Sequence, residues 1–211
     1  MTTYHDAHLT PDPSRRVVWQ AVSDYLARWI PADGAVVEIG AGYCDWINNV
    51  RATRRVALDI WPGMATHAAA GVEPLVLDAA SQLGAFPAAS FDVALASNVL
   101  EHFTPEAVAA VVDDVARLLK PGGRFVIVQP NFRYAARHYF DDYTHRSIFT
   151  DVSLPALLRA HGFTIDEVRP KFLPYSMRQT RLPITRWIVT AYLHSPIKPM
   201  AGQMLVVATR G

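Results

Sequence analysis

Val36-Val37-Glu38-Ile39-Gly40-Ala41-Gly42-Tyr43-Cys44 decides the fold. The apolar run before the glycines reads as a strand over Ala35–Ile39, entering a tight turn and then a helix. Glycine at 40 and 42 lets the backbone bend sharply and approach a ligand where a side chain would collide. Taken alone, the glycine pair also suits an ordinary strand-to-helix turn. A dinucleotide site would call for a third glycine at position 45, where helix and strand close around a pyrophosphate. That position holds Asp45, whose charge repels phosphate. Glu38, just before the turn, suits a cationic ligand instead.

Outward from this stretch, short apolar runs alternate with helical patterns. Strands are predicted over 55–59, 74–77, 91–96 and 124–128, the last introduced by the turn Lys120-Pro121-Gly122-Gly123. Thr104, Pro105 and Glu106 form a helix start, and Val108, Val111, Val112, Val115, Leu118 and Leu119 recur at helical spacing. A helix over 15–30 precedes the first strand, its apolar face formed by Val18, Val22, Tyr25, Leu26 and Trp29. Strands separated by helices require crossovers and hence a mainly parallel sheet. A helix over 154–161 ends at Gly162, and strands over 163–168 and 204–209 complete the pattern, joined by a proline-rich, aromatic segment.

Composition narrows the function. The 211 residues fit one domain, 51% are hydrophobic, and the formal net charge of +1 gives no global attraction to nucleic acid or membrane. Cys44 is the single cysteine, which excludes an internal disulfide and an all-cysteine zinc site. The N-terminal residues lack the apolar core of a signal peptide, and no apolar run reaches membrane-spanning length, so a cytoplasmic location is expected.

With its glycine turn, its second strand closing on Asp59 and its later motifs in order, the sequence resembles the class I S-adenosylmethionine-dependent methyltransferases, in particular the small-molecule group with a Glu-x-Gly-x-Gly motif. The resemblance covers about residues 35–130. It implies an α/β Rossmann-like fold: a mostly parallel seven-stranded sheet, helices on both faces, and an antiparallel C-terminal strand. It also implies S-adenosyl-L-methionine as cofactor, with Glu38, Gly40, Ala41 and Gly42 under the methionine moiety and Asp59 on the ribose hydroxyls. Ile60 would lie against the adenine, Asp78 and Ala79 near its amino group, and Ser97 and Asn98 along the cofactor. Where the family usually has a third small residue, glycine, this chain has Cys44. Leu100-Glu101-His102 matches a segment shared by members with different substrates, which makes His102 a hydrogen-bonded structural residue rather than a base. The implied organisation is one domain: a helical cap (1–33) with Tyr4 and His5 as part of a lid, a cofactor-binding core (34–130), an acceptor-site loop (131–150), and a C-terminal helix and strands (151–211).

In an open parallel sheet, ligands bind beyond the carboxyl ends of the strands, so the loop 131–150 borders the acceptor site. An oxygen acceptor needs its proton removed, and histidine does this near neutral pH. His145 is the candidate base, oriented by Asp141 or Asp142; the same residues would equally serve to tie the loop down. A metal held by Asp141, Asp142 and His145 is not expected, because their spacing is unspecific. The acceptor is read as a small molecule, a sugar or another hydroxylated metabolite.

From Val168 onward the chain has seven cations and no acid: Arg169, Lys171, Arg178, Arg181, Arg186, Lys198 and Arg210, interleaved with Phe172, Tyr175, Trp187 and Tyr192. The preferred reading is packing over the sheet, ahead of an anionic acceptor held by arginines and of membrane-surface contact through 182–193. Nucleic acid comes last, since there is no dense basic run. Two functional alternatives stand beside methyl transfer: an NAD-linked oxidoreductase on a similar sheet, and a non-catalytic scaffold or sensor that binds S-adenosylmethionine.

Overall fold

A computed structural model describes residues 12–175 and 184–211. Tyr4, His5, Arg178, Arg181 and Leu182 lie outside the described residues. Seven strands form one sheet: β1 (Ala35–Ile39), β2 (Arg54–Asp59), β3 (Val72–Val76), β4 (Phe91–Ser97), β5 (Leu119–Pro130), β6 (Phe163–Pro174) and β7 (Ala201–Arg210), in the order β3-β2-β1-β4-β5-β7-β6. β1 to β5 pair in parallel, and β7 runs antiparallel between β5 and β6. The chain steps outward from β1 to β3, then returns to lay β4 on the other side of β1. This reversal opens a crevice beyond the carboxyl ends of β1 and β4.

Among the described residues, six α-helices accompany the sheet: α1 (Pro13–Leu26), α2 (Ala79–Gln82), α3 (Pro105–Leu118), α4 (Phe132–Ala135), α5 (Ser153–Ala160) and α6 (Arg186–His194). Side chains alternate across a strand, so each strand feeds two cores. Val36, Val93, Val126 and Val207 pack on one face with Val22 and Leu26 of α1 and Val189 and Leu193 of α6. Val37, Ala94, Phe125 and Val206 pack on the other with Val111 and Val115 of α3 and Leu154 and Leu158 of α5. α3 forms as its spacing predicts. Thr104 caps it by accepting a hydrogen bond from the Ala107 amide, and its five buried residues lie along one stripe.

The local differences from the sequence reading have local causes. No α-helix follows the glycine turn, only a 3-10 turn over Ile47–Asn49. Cys44 there takes a left-handed φ of 56°, and the Ile47 amide is diverted to Glu38. The first helix stops at Leu26 and tightens into a 3-10 turn over Ala27–Trp29. The fifth strand takes in the Lys120–Gly123 turn, with a register shift in its pairing to β4. β6 is twice the predicted length because β7 pairs along it through three register shifts.

The joining segment contains the helix α6, which the sequence reading left unassigned. It packs on α1, where Arg186 pairs with Asp24 at 2.6 Å. Described cations of this part have partners: Arg169 with Glu167, Lys198 with the Tyr192 and Leu193 carbonyls, and Lys171 over the Tyr134 ring. Among the described residues, no helix is long and apolar enough to cross a membrane.

Candidate active site

A cavity of about 640 Å³ opens at the crevice beyond β1 and β4. All ten residues read from the sequence as cofactor contacts line it, from Glu38 to Asn98. The glycine turn is stitched to β2, with the Gly40 and Ala41 amides both donating to the Leu58 carbonyl, at 2.8 and 2.9 Å. Gly40 has φ +71°, and a methyl group there would lie 2.3 Å from Val99 Cγ2. Gly42 has φ +50°, and a methyl group there would meet nothing within 4 Å. The first glycine is thus required by the protein's own packing, and the second leaves open the wall of the cavity. Cys44, fully buried, completes the turn in the left-handed region that glycine favours.

Two acids flank this turn. Glu38 is 4% exposed and accepts a hydrogen bond from the Ile47 amide at 3.0 Å. Burial holds its carboxyl well above the usual range; the Ile47 amide opposes the rise, and Asp45 and Asp59 add to it. Asp59 ends β2 and accepts from the Gly42 amide at 2.7 Å and the Trp61 amide at 2.8 Å. Beside it, Ile60 is 66% exposed, an apolar surface at the cavity edge. Asp78 caps α2 by accepting from the Ala80 amide. Asp45, read as hostile to phosphate, is paired with Arg15 of α1 at 3.1 Å.

The opposite wall comes from two segments the sequence keeps apart. A 3-10 turn over Leu100–His102 follows β4, and the loop after β5 folds onto it. The Arg146 and Ser147 amides donate to the Glu101 carbonyl, and the Ser147 hydroxyl donates to that of Phe103. Tyr139, fully buried, donates its phenol hydrogen to the Ser147 carbonyl. This latch sets His145 beside His102, with ring centroids 4.9 Å apart.

Hydrogen bonding fixes both tautomers. His145 Nδ1 lies 2.6 Å from the Tyr139 carbonyl, which only accepts, so Nδ1 carries the hydrogen and Nε2 the lone pair. The Thr144 hydroxyl donates to Asp142 at 2.6 Å and therefore accepts from His102 Nδ1 at 2.8 Å. Burial lowers the His145 pKa, with Asp142 and the Tyr139 carbonyl opposing, so the ring is neutral near pH 7. The orienting group predicted for His145 is thus corrected. The Tyr139 carbonyl holds Nδ1, Asp142 acts by charge and by holding Thr144, and Asp141 lies at the surface bonded to His138. Asp142 and His145 line the cavity and Asp141 does not. None of Arg169, Lys171, Arg186, Lys198 and Arg210 lines it, whereas Arg15 does.

Residues 14–168 match the family model described as a methyltransferase domain. The chain belongs to this methyltransferase family. It is an S-adenosylmethionine-dependent methyltransferase of class I, and the oxidoreductase alternative falls away. Among solved structures, it resembles a SAM-dependent methyltransferase from Archaeoglobus fulgidus with 18% identity and a TM-score of 0.69, over 92% of this chain and 94% of that one. It also resembles an S-adenosylmethionine-dependent methyltransferase from Mesorhizobium loti, with 20% identity and a TM-score of 0.67, over 90% and 98%. A third is the N-methyltransferase NodS from Bradyrhizobium japonicum, in complex with S-adenosyl-L-homocysteine, with 14% identity and a TM-score of 0.64, over 99% and 93%. No curated protein matches the sequence.

Sequence reasoning missed Glu101 in this methyltransferase and gave His102 a purely structural part. Glu101 is 1% exposed, and both its carboxyl oxygens are buried without a hydrogen-bond partner among the described residues. Burial pushes the carboxyl up to about 8; its own backbone amide, nearby but not aligned for a hydrogen bond, opposes this and the Asp142 charge adds to it. The signal was an acid inside an otherwise apolar stretch, Val99-Leu100-Glu101, next to a histidine.

Proposed function

We propose that the enzyme methylates a hydroxyl of a small polar acceptor, such as a sugar or another hydroxylated metabolite, with His145 as general base. S-adenosylmethionine, when bound, supplies a methyl group on a cationic sulfur. In this reading Glu38 and the Gly40-Ala41-Gly42 turn hold the methionine part and Asp59 the ribose. Ile60, Asp78 and Ala79 border the adenine, and Ser97 and Asn98 lie along the cofactor. The residues fit such a ligand: a turn open at Gly42, a buried acid suited to a cation, and a second acid lining the same cavity at the end of β2.

The observation that carries the acceptor half is the tautomer of His145. With Nδ1–H given to the Tyr139 carbonyl, a neutral imidazole meets the acceptor through a basic Nε2. Asp142 stabilises the imidazolium formed when the proton arrives. The latched loop holds His145 in one place, and such positioning supplies much of the rate in a displacement.

A panel of hydroxylated and amino acceptors, scored by release of S-adenosylhomocysteine, tests the reading. Turnover of hydroxyl compounds that collapses in His145→Ala, with cofactor affinity intact, supports it. Turnover confined to amines, or an unaffected variant, overturns it.

A further inference from the structure

We propose that Glu101, His102 and His145 bind one divalent transition-metal ion at the floor of the acceptor pocket. Each residue offers one ligand atom, and the three atoms lie within 4.8 Å of one another. Bonds of about 2.0–2.2 Å bring ligand atoms about 3–3.5 Å apart, so closure asks for a contraction of at most about 1.3–1.8 Å. Two imidazole nitrogens and one carboxylate oxygen favour zinc, manganese or iron over magnesium or calcium, which prefer oxygen throughout.

Two further observations point to a ligand here. Glu101 lines the cavity and buries both carboxyl oxygens with no hydrogen-bond partner among the described residues. An unpaired buried carboxyl is costly, and a cation resolves that cost. Both histidines are also held through Nδ1, by the Tyr139 carbonyl and by the Thr144 hydroxyl, which is itself anchored on Asp142. Outer partners of this kind orient a ligating imidazole and place its lone pair on Nε2. The three ligands are not those suggested by the spacing of Asp141, Asp142 and His145; they come together only because the loop folds back on the turn after β4.

This deepens the reading of the pocket as the acceptor site, and its catalytic part rests on that reading. A hydroxyl resting against the ion ionises at lower pH, its proton passing to bulk water. His145 then serves as ligand, and its role as base belongs to the metal-free enzyme.

The test uses the full chain, freed of metal with chelator, and needs neither acceptor nor turnover. Calorimetric titration with zinc chloride and with manganese chloride is expected to show one ion per chain. Glu101→Gln and His145→Gln should each weaken binding by about 10–100-fold or more. His161→Gln, which alters the surface pair with Asp113, should leave it unchanged. S-adenosylhomocysteine titration of each variant confirms that a lost ion is not a lost fold. No heat with either ion at millimolar concentration, or binding that survives in both Glu101→Gln and His145→Gln, overturns the site. Failure of the acceptor panel, with ion binding intact, would overturn only the choice of acceptor.

Discussion

His102 and His145 meet edge to face in the wall of the cavity, and each has its Nδ1 hydrogen committed to an oxygen behind it. Both rings therefore turn the same nitrogen, Nε2, to chemistry.

His145 acts, whether as base or as ligand, only when unprotonated. Burial lowers its pKa, so the acid limb of kcat should lie below about 6.5, the ordinary histidine value. Activity should be lost as pH falls through that limb and hold steady above it. His145→Ala should cut kcat by about 10²–10⁴-fold, with the cofactor Kd unchanged. A pH profile of the wild type and a single-pH assay of the variant check both.

Glu38 should make cofactor binding release a proton. Its carboxyl is held well above the usual range in the free protein, and a cation bound beside it favours the ionised form. Affinity for S-adenosylmethionine should therefore rise with pH until Glu38 is ionised without the ligand. S-adenosylhomocysteine, which lacks the sulfonium charge, should show a shallower dependence. Calorimetry in buffers of different ionisation enthalpy counts the proton.

Glu101 should make stability fall as pH rises. Its folded pKa of about 8 exceeds the unfolded value of about 4.3, so the folded state binds more protons between the two. Stability from this group is present at low pH and is lost on passing up through the window. In chelator-treated protein, Glu101→Gln should melt several degrees above wild type at pH 9, with the gap closing by pH 5. Thermal melts at a series of pH values read it directly.

The two glycines of the turn should separate folding from binding. Gly40→Ala drives a methyl into Val99 and strains a left-handed residue, a loss of about 1–3 kcal/mol in stability. Gly42→Ala meets no atom of the described residues within 4 Å, so it should cost about 1–2 kcal/mol of backbone strain and lose cofactor affinity more than about tenfold. Melting curves and cofactor titrations on the two variants, side by side, distinguish them.

Cys44 should be silent toward thiol reagents in the folded enzyme. It is fully buried, and burial pushes its thiol up to about 12. A disulfide reagent should find no thiol in native protein and one after unfolding.

Strands and cofactor side were legible because they are written locally. Alternation of Val36, Glu38 and their neighbours, the glycines and the acid at Asp59 each declare themselves within a few residues. The acceptor side depends on a tertiary meeting of residues 100–102 with 139–147, which no local pattern announces. Asp141 and Asp142 stood beside His145 in sequence and drew the assignment, while the group that holds the ring is a main-chain carbonyl, silent in any sequence. Helix α6 was missed for a similar reason. Its stability comes from packing Val189 and Leu193 on α1 rather than from a cap, for Thr185 makes no capping bond.

The latch between the loop and the turn after β4 is made mostly of main-chain groups, with the Arg146 and Ser147 amides on the Glu101 carbonyl and Tyr139 on that of Ser147. Backbone atoms are common to all residues, so mutation at Tyr134, Phe140 and Tyr143, all solvent-facing, can proceed without unseating the histidines. The seat of the two histidines is thereby insulated from sequence drift across that outer surface.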